Sequence, residues 1–294
     1  MSKLRRLQPV AVALLLVLLL TSCVSTKRPP LFTHRHPIKG GSAPALKVAT
    51  LDELNATLAR NYTAVHSFVA SVTLTASSGG VYEGQTKDYI PIRGHILFRK
   101  PDDIRIQGSK PVIETLAFDM ASDETSFRFY NAESNQFIEG LNDAPATSIN
   151  KMENLRPKAF LSSMLIRPWD PSTETVMLKD DTTDDDALYR LEFNLKGQNG
   201  APIPGREVWF DRIDLSNIVR QKVYDDLGNI VSDTGYSGWK TFNGVSFPTH
   251  IDLSRPKDSY GVVIDITTMD MNKELTDAQF TLTQPEGSIL KEIK

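Results

Sequence analysis

Residues 94–108 read GHILFRKPDDIRIQG, and within them Ile96 and Phe98, then Ile104 and Ile106, recur at every second position. A period of two places those side chains on one face of an extended chain, so each run reads as a strand with one face buried. Working outward, Phe68, Ala70, Val72 and Leu74 repeat the pattern upstream, and Leu116–Met120, Phe127–Tyr130 and Gln136–Glu139 continue it downstream. After a break the strands resume at Tyr189–Leu195, Glu207–Phe210, Ile218–Tyr224, Gly235–Phe242, Val245–Leu253 and Gly261–Met271. Asp226-Leu227-Gly228-Asn229 and Asn243-Gly244 supply residues that tolerate the positive φ of tight hairpins. Strands joined by such short turns predict an antiparallel sheet, not a parallel crossover fold. About eleven strands with few helices make the class α+β, a single curved sheet in one domain, and no internal repeat is evident.

Two segments carry a helical period. Thr50-Leu51-Asp52-Glu53 is a capping-box pattern ahead of Leu51, Leu54, Leu58 and Tyr62, which predicts an amphipathic helix over residues 51–65 packed on the sheet. Between Ala146 and Arg167, the residues Ile149, Met152, Leu155, Phe160, Leu161, Met164 and Leu165 suit one or two helices, with Pro157 as the interruption.

The first residues have the order of an export signal: Lys3, Arg5 and Arg6, an apolar stretch from Val10 to Leu20, then Leu20-Thr21-Ser22-Cys23. The apolar stretch is too short to span a bilayer, which takes roughly 20 residues. Cys23 is the sole cysteine, and its setting resembles the bacterial lipobox, which implies a covalent diacylglycerol and an N-acyl chain on Cys23 as the membrane anchor. No other cofactor is expected. Several acyl chains are needed, because one alone binds a membrane only marginally. Residues 1–22 are thus expected to be a lipoprotein signal peptide, 23–46 a lipidated N-terminus and flexible tether rich in Pro, Ser, Gly and Lys, and 47–294 the folded domain. Cutting before Cys23 removes three positive charges and takes the formal net charge from −3 to −6, which argues against nucleic acid as a partner. Val24 follows Cys23 where an Asp would favour inner-membrane retention, so the expected location is the outer membrane, facing the periplasm.

Several phrases together resemble the LolA/LolB family of periplasmic lipoprotein carriers and the wider superfamily of lipid-binding lipoproteins. FVASVTLTAS (68–77), GHILFRKPDDIRIQG (94–108) and FDMASDETSFRFYNAESNQFIEG (118–140) are similar to its first half. VWFDRIDLSNIVRQKVYDDLGNIV (208–231), FPTHIDLSRP (247–256) and FTLTQPEG (280–287) are similar to its second. The resemblance implies an incomplete antiparallel β-barrel with covering helices and an apolar cavity that receives acyl chains. It makes Phe68, Val72, Ile96, Phe98, Phe247 and Ile251 candidate cavity walls, and Met152, Leu155, Phe160, Leu161, Met164 and Leu165 a candidate acyl-binding lid in which flexible thioethers adapt to disordered chains. Plain core packing accounts for each of these residues as well. Val112 and Ile113, after Lys110-Pro111, are the candidate membrane-facing loop, and the start of a buried strand accounts for them equally. A lipidated Cys23 matches the anchored receptors of the family and departs from its soluble shuttles.

Nothing in the sequence assembles a catalytic set. Ser109, Ser162 and Ser163 lack the Gly-x-Ser-x-Gly elbow, and His66, His95 and His250 are isolated. His34 and His36 in the tether have no further metal ligands nearby, and the acidic run 180–186 lacks EF-hand spacing and reads as a solvated loop between strands. The expectation is a non-enzyme without metal whose partners are a membrane, the acyl chains of a lipid or lipoprotein, or an envelope protein complex. An assembly lipoprotein of such a complex, the competing role, predicts a filled core.

Overall fold

The two runs in residues 94–108 pair with each other. The computed structural model describes residues 44–79, 86–111, 114–144, 154–197 and 200–293; Cys23, most of the tether, Val112, Ile113 and Met152 lie outside them. β3 (Ile92–Arg99) and β4 (Asp103–Ser109) form a hairpin with Ile96 opposite Ile106 and Phe98 opposite Ile104. All four are buried, as the alternation demands when one face of the sheet is covered.

β1 (Ser67–Gly79) lies on the other side of β3, and β2 (Thr86–Asp88) pairs with its end. β5 (Leu116–Ser122), β6 (Ser126–Asn131) and β7 (Gln136–Leu141) carry the meander to one edge. The chain resumes at the far edge with β8 (Glu174–Asp180), β9 (Leu188–Lys196) and β10 (Pro202–Asp211). It then meanders back through β11 (Ile218–Tyr224), β12 (Ile230–Ser237), β15 (His250–Arg255) and β16 (Tyr260–Met271). β16 pairs with β1 and joins the halves. β13 (Lys240–Phe242) and β14 (Val245–Phe247) form a separate hairpin, where Asn243 (φ 48°) and Gly244 (φ 84°) make the tight turn.

The sheet has fifteen strands, not the expected eleven. Gly235–Phe242 and Val245–Leu253 are each two elements, the second split after Phe247 at Pro248, which has no N–H for a ladder. β2, β8 and β17 (Ile289–Ile293) are additions, and β17 runs parallel to β7, the exception in an otherwise antiparallel arrangement. β17 and β8 end the strand order without pairing to each other, so the barrel is incomplete. Ladder irregularities at Val72, Gly108, Gly205 and Phe210 add the local twist that lets so many strands curl around one side. Ile104 and Ile106 of β4 belong to one continuous core with Leu191 and Phe193 of β9 and Val208 and Phe210 of β10.

α1 (Leu51–Ala64) has the capping box the sequence indicates: Thr50 Oγ1 accepts from the Glu53 N–H at 3.3 Å, and Glu53 Oε2 accepts from the Thr50 N–H at 2.7 Å. Its Leu54 and Leu58 are 1% exposed, and burying a leucine side chain contributes about 1.5–3 kcal/mol. α2 (Pro157–Met164) corrects the expectation for Pro157, which opens the helix instead of interrupting it. In the first turn the N–H that proline lacks has no helical partner to lose. α2 belongs to the connection between opposite sheet edges, so it crosses the inner face and packs on β4, β5 and β15.

From Asn272 the chain returns over the outer face to the first edge. Asn272 accepts from the His66 N–H at 2.8 Å and donates to the Ala64 carbonyl at 2.9 Å. Arg99 donates to Leu275 O ahead of the one-turn helix α3 (Asp277–Phe280), and Arg105 to Thr281 O just after it. Gly140 on β7 makes room for the end of β17, since a Cβ there would stand 2.6 Å from Ile293 O. The described residues all fall within one compact unit that holds the whole of their core, so this unit carries its own fold.

Candidate functional site

The strand ends beyond the main core border a cleft of about 700 Å³, a size typical of ligand sites. Leu74 and Ala76 of β1, Ile92 of β3, Phe118 of β5, Phe129 of β6 and Val262 of β16 supply its walls, and Leu155 and Phe160 close it from the α2 side. These positions continue the inward alternation of the core: Ala76 sits opposite Val262 in the β1–β16 ladder, one inward step past Leu74. Phe118 and Phe129 stack in a tilted pair with ring centroids 6.0 Å apart. The floor is shaped by the absence of a side chain at Gly108, where a Cβ would lie 2.5 Å from the Phe118 ring and 2.6 Å from Ile92 Cδ1.

The mouth has a different chemistry. Ile90 is 78% exposed, a large apolar side chain left in water at the rim. Lys87, Lys110, Asn131 and Glu133 line the cleft with it. The opposite, outer face of the sheet is polar and paired, with Arg105–Asp119 at 2.8 Å and Arg220–Asp233 at 2.6 Å.

The six candidate wall residues lie elsewhere. Phe68, Val72, Ile96, Phe98, Phe247 and Ile251 are 0–3% exposed and belong to the closed core, where Phe68 contacts Phe98 and Phe247 with centroids 5.2 and 5.7 Å apart. None of them lines the cleft. Of the lid candidates, Leu155 and Phe160 reach it, and Leu161 is buried in the core. Met164 and Leu165 face a small void of about 40 Å³ beside Leu58 and Tyr62. Lys110 and Pro111, which precede Val112 and Ile113, line the cleft. Phe118, Phe129 and Val262 are inward positions of their strands, a signal that the alternation of the sequence carries. Gly108 has no such signal.

The approach to β8 is held by a buried ion pair. Arg206 Nε and Nη2 donate to the two Glu174 oxygens at 3.0 and 2.9 Å, and both side chains are 5–6% exposed. Arg206 also donates to the carbonyls of Arg167 (2.7 Å) and Pro168 (3.0 Å), with its guanidinium 3.9 Å from the Phe193 ring centroid. Burial works to raise the Glu174 carboxyl, but the Arg206 hydrogen bonds and charge outweigh it and hold the group below the usual carboxylate range.

His95 is exposed on β3, and His250 Nδ1 lies 2.6 Å from Asp265. The acidic run forms the turn between β8 and β9, where Asp180 pairs with Arg212 at 2.9 Å. Among the described residues no group of three or more His, Cys, Asp or Glu could hold a metal, and no helix is long and apolar enough to cross a membrane.

No protein-family model matches the sequence, and no curated protein does. Solved structures do match. A LolA superfamily protein from Nitrosomonas europaea superposes with a TM-score of 0.51 at 14% identity, over 80% of this chain and 99% of that one. A DUF1329 family protein from Desulfovibrio piger gives 0.54 at 15% identity, over 80% and 98%. At such identities the likeness is one of fold: the chain has a LolA/LolB-like architecture.

Proposed function

We propose that this chain is a non-enzymatic, lipid-anchored envelope protein that shelters acyl chains, of a lipid or of another lipoprotein, in the cleft between β1, β3, β5, β6 and α2. The observation that carries the reading is the cleft itself, a space of about 700 Å³ with apolar walls, open at a rim that includes the exposed Ile90. Each chain methylene moved from water into such a space gains about 0.8 kcal/mol. Transfer between two apolar environments is near neutral in free energy and needs no energy source. The diacylglycerol and N-acyl chain on Cys23 would hold the domain at the periplasmic side of the outer membrane, and the segment after it would let the mouth reach that surface.

Uptake of a fluorescent long-chain fatty acid by residues 38–294 tests the reading, with saturation near one equivalent expected and no uptake defeating it. The anchor has its own test. Cys23→Ser should abolish incorporation of labelled palmitate and release the protein from the membrane fraction; retained label would refute lipidation at Cys23. The assembly-lipoprotein role is favoured by one observation, the closed core over most of the inner face. It predicts no uptake.

A further inference from the structure

We propose that the cleft selects amphiphiles with an anionic head group, carboxylate or phosphate, held by Lys87 and Lys110 at its mouth. This rests on the acyl-chain reading above and deepens it. Among the described residues the charged side chains lining the cleft are Lys87, Lys110 and Glu133, and all three belong to the mouth, while the walls behind them are apolar. Lys87 Nζ stands 4.9 Å from the centroid of Tyr89, which also lines the cleft, so the ammonium is kept over the opening by a cation–π contact. Lys110 is fixed through its backbone: its N–H donates to Thr115 O at 2.9 Å, and its carbonyl accepts from the Glu114 N–H at 3.1 Å.

Glu133 offsets little of this. Its carboxylate is 3.9 Å from Lys110 Nζ, with side chains 80% and 42% exposed, and a pair so long and so hydrated is worth little. An anion arriving with its chain in the cleft would meet two ammoniums beside an apolar rim that includes Ile90, and their stems can lie along that rim with the charges in water. Charge-assisted hydrogen bonds of this kind are about twice as strong as neutral ones. A neutral head group, a glyceride or an alcohol, can accept a hydrogen bond from a lysine but brings no charge to pair with it.

The test is competition against a fluorescent fatty acid on residues 38–294, using palmitate, hexadecyl phosphate, hexadecanol and inorganic phosphate. Both anionic amphiphiles should bind about tenfold more tightly than the alcohol at low salt. Lys87→Gln with Lys110→Gln should abolish that preference and leave the alcohol's affinity unchanged. Both lysines are exposed or half-exposed, so the fold should persist, as circular dichroism would verify. Equal binding of alcohol and acid, a preference that survives the double substitution, or displacement by inorganic phosphate as effective as by hexadecyl phosphate overturns the proposal. Absence of any fatty-acid uptake overturns the acyl-chain reading together with it, whereas uptake without head-group preference overturns this inference alone.

Discussion

Arg206→Met is expected to lower the unfolding free energy by about 3–5 kcal/mol, because it leaves the Glu174 carboxylate buried without a partner. Glu174 is 5% exposed, and its two oxygens take the two nitrogens of one guanidinium at 3.0 and 2.9 Å. The same guanidinium satisfies the carbonyls of Arg167 and Pro168, so removing it also orphans the backbone that leads from α2 to β8. In the native protein the Glu174 carboxyl lies below its ordinary value. The stability it contributes is therefore present above the usual carboxylate range and lost as pH falls through the depressed native value. Without Arg206 burial alone acts on the group and raises it, so the variant should take up a proton at Glu174 and its deficit should shrink from about pH 7 to about pH 4. Urea titration of both proteins across that range measures this. A deficit below about 1 kcal/mol at neutral pH would mean that the pair does not anchor the segment. Replacing Glu174 with Met as well should recover much of the loss, since a buried ion pair removed whole is often near neutral.

Ala76→Trp is expected to weaken acyl-chain binding by about tenfold or more, the equivalent of two buried methylenes lost to the indole. Ala76 is the inward position next to Val262, half-buried and facing the cleft, so the larger ring has open space to enter on the cleft side. The thermal midpoint should therefore stay within a few degrees of the native protein, which distinguishes a filled cleft from a damaged fold. Fatty-acid titration of the folded variant gives the answer. Unchanged affinity would place the chain somewhere other than this cleft.

Most of the sheet is legible from alternation, because along most of β1, β3, β4, β6 and β9 one face is buried and a one-residue slip would turn those apolar side chains outward. Alternation fails where burial does not set the residue type. β8 begins its inward face with Glu174, whose partner Arg206 is thirty-two residues away, and carries Met177, 45% exposed, on the outside. β17 has four exposed residues out of five and is held by its parallel ladder to β7, with Ile293 packing at the end, so it leaves almost no hydrophobic pattern to read. The capping box of α1 was visible because Thr50 and Glu53 satisfy each other within one turn.

The candidate site was legible as a face and not as a place. Phe68, Ile96 and Phe98 point inward as their spacing requires, but the inner face is core along most of its length and becomes cleft only where the strands outrun the helices. That boundary depends on how far α1 and α2 extend over the sheet, a tertiary fact that no strand's sequence contains. Leu155 and Phe160 are where the two descriptions meet, on the helical connection that crosses from one sheet edge to the other.

Native mass spectrometry of residues 38–294, isolated from a bacterial envelope without the acyl anchor, tests the central claim most directly. A population carrying one co-purified amphiphile, displaced by added palmitate and depleted in Ala76→Trp, is the predicted result. Protein that is lipid-free under the same conditions and takes up no palmitate would contradict it.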